Sequence, residues 1–156
     1  MLYPIGIQSF EKLREGDFIY VDKTALLYNL TRQGQYVFLS RPRRFGKSLV
    51  LSTLEAYFEG RKDLFEGLAM AELEKEWKAS PVFHLDLNRG PYTSVENLRL
   101  HLIAQISKLE DKYGRREAEV VISDRFSGVI ERAAEKTGRN VVVLIDEYDK
   151  PLLEVI

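Results

Sequence analysis

Apolar residues in this chain gather in short blocks divided by glycines and charged stretches, and the spacing inside each block predicts its element. Ala25, Leu26, Leu27 and Leu30 follow Asp22 and end before Gly34, which predicts a helix capped by Asp22. Gln35–Ser40 (QYVFLS) is a short apolar run with β-forming residues and reads as a buried strand. Gly46 to Glu59 predicts a helix that packs through Val50, Leu54, Tyr57 and Phe58, with Gly60 ending it. Residues 70–78 predict a short charged helix, with Trp77 and the Glu72–Lys78 charges on an amphipathic surface. Pro81–Leu87 (PVFHLDL) alternates well enough to form a second strand. Thr93 and Glu96 have capping-box spacing and open a helix whose Leu98, Leu102, Ile103, Ile106 and Leu109 recur at helical intervals, closed near Gly114. A further helix runs from Ser123 to Thr137 and stops at Gly138. Val141–Ile145 (VVVLI) is the most β-prone stretch, and its unbroken apolar run predicts burial on both faces.

Strands that alternate with helices, and that are apolar rather than half-polar, predict an α/β fold with a parallel sheet. Right-handed crossovers then place helices over both faces. There is no internal repeat, low-complexity tract or linker, so residues 1–156 read as one domain.

Composition narrows the function classes. With 45% hydrophobic and 30% charged residues the chain has the profile of a globular protein. A formal net charge of −1 supplies no global field toward nucleic acid or an anionic membrane. The absence of cysteine excludes disulfides and thiol chemistry, and His84 and His101 alone make a histidine-rich metal site unattractive; both read as packing residues. No apolar run is long enough to span a membrane and the N-terminus lacks a signal-peptide pattern, so cytoplasmic residence is the default expectation.

Two segments carry chemistry. Arg41-Pro42-Arg43-Arg44-Phe45-Gly46-Lys47-Ser48 follows one expected strand and opens one expected helix, the context of a P-loop. Backbone N–H groups there and at Leu49 point toward a phosphate. Gly46 admits close approach, Lys47 reaches terminal phosphates, and the Ser48 hydroxyl suits Mg²⁺. Arg41 stands where the general pattern has its first glycine. Arg41, Arg43 and Arg44 suit phosphate steering, nucleic-acid contact or a solvated basic turn. The second segment, Val141 to Glu147, is an apolar run ending in two acids, the shape of a Walker B motif. There Asp146 would hold Mg²⁺ through water and Glu147 would polarise the attacking water. Asp149 reads as a supporting acid or a helix cap, and Asp86 as a turn-forming residue able to approach the site.

YVDKT (20–24), SRPRRFGKSL (40–49), LFEGL (64–68) and LIDEYDKPLL (144–153) together resemble the bacterial AAA-ATPase-like family over nearly the whole chain. Arg41 fits that family's habit, RPRRFGKS, and the Asp146–Glu147 pair resembles the catalytic-glutamate branch of P-loop ATPases. The resemblance implies ATP and Mg²⁺ as cofactors, and a PD-(D/E)-x-K nuclease-like domain often lies downstream in such proteins. It also brings Tyr20 and Lys23 near the nucleotide, Tyr20 to stack on adenine or simply to fill the core, Lys23 to meet a phosphate. In that class a further strand, a polar sensor and an arginine follow the Walker B strand. The expectation is therefore a P-loop NTPase-type parallel sheet with helices on both faces, incomplete at its C-terminus, a fragment open to homo-oligomerisation, and essentially no turnover by these residues alone. Three functions stay open: an Mg²⁺-dependent ATPase driving an attached domain, a nucleotide sensor with little hydrolysis, and a nucleic-acid-associated interaction domain. Net charge counts against the third, and nucleic-acid contact is expected only through a downstream domain.

Overall fold

The computed structural model describes residues 2–40, 42, 45–88 and 94–151. They form two compact units, Met1–Ala79 and Ser80–Ile156. No described helix is long and apolar enough to cross a membrane.

The first unit is built of short helices around aromatic rings. Helix α1 (Phe10–Glu15) is capped by Ser9 and buries Phe10 and Leu13; α2 (Thr24–Leu30) buries Thr24 and Leu27. Helix α3 (Lys47–Phe58) buries Thr53, Leu54 and Ala56; a 3₁₀ turn (Lys62–Phe65) and α4 (Ala69–Leu73) follow. Phe65 is the hub: its ring lies 4.8 Å from Phe10 and 5.0 Å from Trp77, both tilted. Tyr57 meets Trp77 edge-on at 5.8 Å. Arg14 ties α1 to the 3₁₀ region by donating to the carbonyls of Leu64 (2.8 Å) and Glu66 (2.6 Å).

The N-cap of α2 is Lys23 rather than the expected Asp22, which stands one residue earlier and reaches two helix starts. The Asp22 carboxylate accepts from the N–H (2.8 Å) and hydroxyl (2.7 Å) of Thr24, and from the N–H of Ala69 at 2.8 Å. The Thr24 hydroxyl in turn accepts from Met70 N–H at 3.0 Å. These bonds fill orphan donors at the starts of both α2 and α4, so the YVDKT stretch joins two helices. Burial pushes the Asp22 carboxyl up, but the Ala69 and Thr24 donors outweigh it and hold it below the usual aspartate value.

Two sequence expectations fail in this unit. Gln35–Ser40 has no strand, and Tyr36, Val37 and Phe38 are exposed. A strand needs a place in a ladder for its N–H and C=O groups, and the described sheet, β1 with β2, does not include these residues. The helix expected over 70–78 stops at Leu73 because Glu74 turns extended and Trp77 takes a positive φ of 41°. Trp77 then packs on Tyr57 and Phe65 instead of lying on an amphipathic surface.

The second unit follows its sequence pattern more closely. Strand β1 (Val82–Asp86), helices α5 (Val95–Tyr113) and α6 (Ile122–Thr137), and strand β2 (Val142–Asp146) come in that order. The strands pair in parallel, Val82 opposite Val142 through Asp86 opposite Asp146, with the two helices forming the crossover that parallel pairing requires. Phe83, Val129 and Ala133 are fully buried at the centre, with Leu109, Tyr113, Phe126 and Ile130 packed around them. Mixed α/β structure with a parallel pair is thus present, and the described sheet has two strands.

Between α5 and α6 lie two ion pairs. Arg125 donates to both Glu110 oxygens (2.8 and 2.6 Å) and to the Ser107 hydroxyl, with both charged side chains buried. Arg132 grips Glu119, whose carboxylate lies across Gly128; a Cβ there would stand 2.0 Å from Glu119 Oε1. That contact accounts for a glycine in mid-helix despite its helix cost of about 1 kcal/mol.

Two corrections apply here as well. The cap of α5 is Ser94, which accepts from Asn97 N–H at 3.2 Å, one residue later than the expected Thr93–Glu96 pair; Thr93 lies outside the described residues. Strand β2 is not buried on both faces: Leu144 is buried, but Val143 and Ile145 are exposed. The apolar run signalled a strand correctly, yet Val143 and Ile145, which share a face with the buried Phe83 and Leu85 of β1, are themselves only partly covered.

Candidate functional site

The expected phosphate loop ends where α3 begins. Gly46 occupies the N-cap position with φ 75°, and no side chain caps the helix. A left-handed cap suits glycine, and nothing lies within 4 Å of where a Cβ would sit. Lys47 and Ser48 are the first two helical residues, half-buried, with Leu49 next in the same turn. Helix N-termini concentrate unpaired N–H groups and positive potential, so this is an anion-favouring end. Phe45, just before it, is exposed. Arg41, Arg43 and Arg44 lie outside the described residues.

Helix α3 is held from behind. Ser52 Oγ accepts the N–H of Phe10 at 2.8 Å, filling an orphan donor of α1. Thr53 is buried and donates to the Leu49 carbonyl at 2.8 Å. Tyr20 packs edge-on against Phe10 at 5.4 Å, and burial pushes its phenol up. This contact fits the core role for Tyr20 rather than the adenine platform.

In the second unit the candidate acids stand at the carboxyl end of the sheet. Asp146 is the last residue of β2, buried at 8% exposure, and its backbone carbonyl accepts Leu87 N–H at 3.1 Å. Asp86 ends β1 directly opposite Asp146, so both carboxylates project from the same face of strands about 4.8 Å apart. Glu147 follows with φ 53°, a left-handed conformation that costs a non-glycine residue about 1–2 kcal/mol. Among the described residues no cluster of three or more His, Cys, Asp or Glu side chains could enclose a metal.

Three further residues organise this end of the sheet. The Gln105 side chain bonds both ways to the Asp86 backbone, accepting its N–H (2.9 Å) and donating to its carbonyl (3.1 Å). Asp86 Oδ1 accepts Asn88 N–H at 2.8 Å, the turn-forming role expected of it. Lys150 Nζ donates to the Asn88 carbonyl (2.7 Å) and to Asn88 Oδ1 (3.1 Å). Sequence spacing gave no notice of this last contact, since its partners lie far apart in the chain.

Comparison with known proteins decides the family. A family model described as "Predicted AAA-ATPase" (AAA-ATPase-like) matches residues 4–156. The chain belongs to this AAA-ATPase-like family. A relative from Azotobacter chroococcum mcd 1, named as an uncharacterized protein in the vnfD 5' region, is 41% identical over 152 residues. That match covers 97% of this chain and 30% of the relative, so the AAA-ATPase-like chain spans less than a third of that protein's length. No solved structure matches it.

Proposed function

We propose that this region binds ATP with Mg²⁺ in a P-loop NTPase-type site, and that the full-length protein hydrolyses ATP to drive a conformational change in an attached domain. The observation that carries the reading is the start of α3: Lys47 and Ser48 open a helix without a side-chain cap behind a left-handed Gly46. That arrangement leaves backbone donors and an ammonium where a polyphosphate needs them. Family membership among predicted ATPases supports the same reading.

In this proposal the N–H groups from Gly46 to Leu49 bind phosphate oxygens and Lys47 offsets charge on the terminal phosphates. Ser48 and Asp146 hold the cation. Mg²⁺ commonly takes one or two carboxylates plus phosphate oxygens and water, and a hydroxyl and a carboxylate are each donors of the kind it accepts. When bound, the ion neutralises charge on the phosphates. Glu147 accepts a proton from the attacking water, and a carboxylate held in a fixed turn suits that task. Contact with nucleic acid, if the full protein makes it, is assigned to another domain.

Calorimetric titration of ATP, with and without Mg²⁺, tests the reading. Lys47→Ala should weaken binding by about two orders of magnitude, near the upper contribution of a hydrogen bond to a charged group. Ser48→Ala should weaken the Mg²⁺-dependent part more than the Mg²⁺-free part. Unchanged affinity in Lys47→Ala would remove the P-loop from the account.

A further inference from the structure

We infer that Lys150 is a positioning residue for hydrolysis, clasping the loop after β1 and thereby holding the turn that carries Glu147; the inference rests on the ATPase reading above. The argument starts from Glu147 itself. Its φ of 53° is one that a side-chain-bearing residue keeps only when its surroundings enforce it. On its N-terminal side the enforcement comes from the ladder, where Asp146 is paired with Asp86 and its carbonyl accepts Leu87 N–H. On its C-terminal side the N–H of Lys150 donates to the Glu147 carbonyl at 3.0 Å, closing the turn. The same residue then sends its ammonium to both oxygens of Asn88, at 2.7 and 3.1 Å.

Asn88 is itself a fixed target. Its N–H is held by Asp86 Oδ1 at 2.8 Å, and the Asp86 backbone is held on its outer side by Gln105 of α5. A continuous set of bonds therefore runs from α5 through Gln105, Asp86, Asn88 and Lys150 to the peptide of Glu147. Every link is polar and near the surface, so the clasp contributes little to global stability and acts on where one carboxylate points. Lysine suits this role because its long stem carries a three-donor head that can meet two acceptors at once.

The test uses the full-length protein and compares Lys150→Met, Lys150→Arg and Asn88→Ala with Glu147→Gln. Steady-state phosphate release gives kcat, and calorimetry with ATP and Mg²⁺ gives affinity. Lys150→Met should lower kcat about tenfold while ATP affinity changes less than about twofold. Lys150→Arg, which can still donate to Asn88, should recover most of the rate. Asn88→Ala should lower kcat less, since the backbone acceptor remains. If Glu147→Gln abolishes turnover while Lys150→Met turns over normally, the clasp is overturned and the ATPase reading stands. If Lys150→Met loses affinity in step with kcat, the residue supports the fold generally and the clasp is again overturned. If the wild-type protein neither binds nor hydrolyses ATP, both readings fall together.

Discussion

The two compact units hold their candidate site residues by different means. In Met1–Ala79, Lys47 and Ser48 sit at the open end of a helix whose far side is pinned by Ser52, Thr53 and an aromatic hub. In Ser80–Ile156, Asp146 and Glu147 sit at the end of a hydrogen-bonded strand pair and a polar clasp. The first arrangement fixes a backbone direction and leaves donors available for a ligand. The second fixes the backbone that carries the two acids, with Glu147 held in the left-handed region. A phosphate cradle needs only convergent N–H groups, which a helix start supplies without further help. A base must be placed against one water, which demands more anchoring.

The largest effect that would sharpen this contrast is on turnover. In the full-length protein Glu147→Gln should keep ATP affinity and lower kcat by about 10²–10⁴, the range for removing a general base. A wild-type rate would move the base elsewhere, with Asp149 the first alternative. The next largest effect is on folding of the second unit. Glu110→Leu strands the Arg125 guanidinium and should destabilise α5–α6 by about 3 kcal/mol in urea unfolding followed by far-UV circular dichroism. The double replacement Glu110→Leu with Arg125→Met should recover most of that loss, as apolar pairs often match buried ion pairs.

Acid should act on the same unit. The Arg125 hydrogen bonds, against the opposing effect of burial, hold the Glu110 carboxyl below the usual glutamate value, and the Arg132 bonds do the same for Glu119. A depressed carboxyl contributes stability above its unfolded pKa, about 4.3, and that contribution disappears as pH falls through the lower folded value. Once the intrinsic pH dependence of amide exchange is divided out, the protection of α5 and α6 amides should therefore fall below about pH 4.3, and protection that rose with acid would contradict the pairing.

Smaller effects belong to the first unit. Asp22→Ala removes acceptors at two helix starts and should cost about 1–2 kcal/mol, read from the fluorescence of Trp77, the one tryptophan in the chain. Gly46→Ala places a side chain at φ 75° in otherwise open space, so about 1 kcal/mol of strain is expected, without a clash. A larger loss would mean that the helix start is more crowded than its geometry indicates.

Much of this could be read from residues alone, for physical reasons that differ by element. Helices α3 and α6 were legible because a glycine precedes or ends each and their apolar positions recur at helical spacing. Strand β2 was legible from VVVLI, but its burial was not, because composition does not say which faces are covered. Gln35–Ser40 has the same kind of composition without a ladder, so apolarity alone overcalled it. Trp77 reads as a surface residue among charges, but at its positive φ its partly buried ring packs on Tyr57 and Phe65. At the candidate site, Lys47, Ser48, Asp146 and Glu147 are named by local motifs alone. The opposition of Asp86 to Asp146 and the clasp from Lys150 to Asn88 join distant stretches, and no local pattern encodes them.

Gln105 has a consequence for how this sheet can grow. In a parallel ladder alternate residues turn their peptide groups to opposite sides, and with Leu87 addressing β2, the peptide groups of Asp86 face outward. The Gln105 carboxamide meets both, presenting one acceptor and one donor as a neighbouring strand would. That margin is closed at its chemically busiest point by a side chain acting as a stopper. Among the described residues, the margin left for a further strand to pair with is therefore that of β2, while one glutamine occupies the margin of β1.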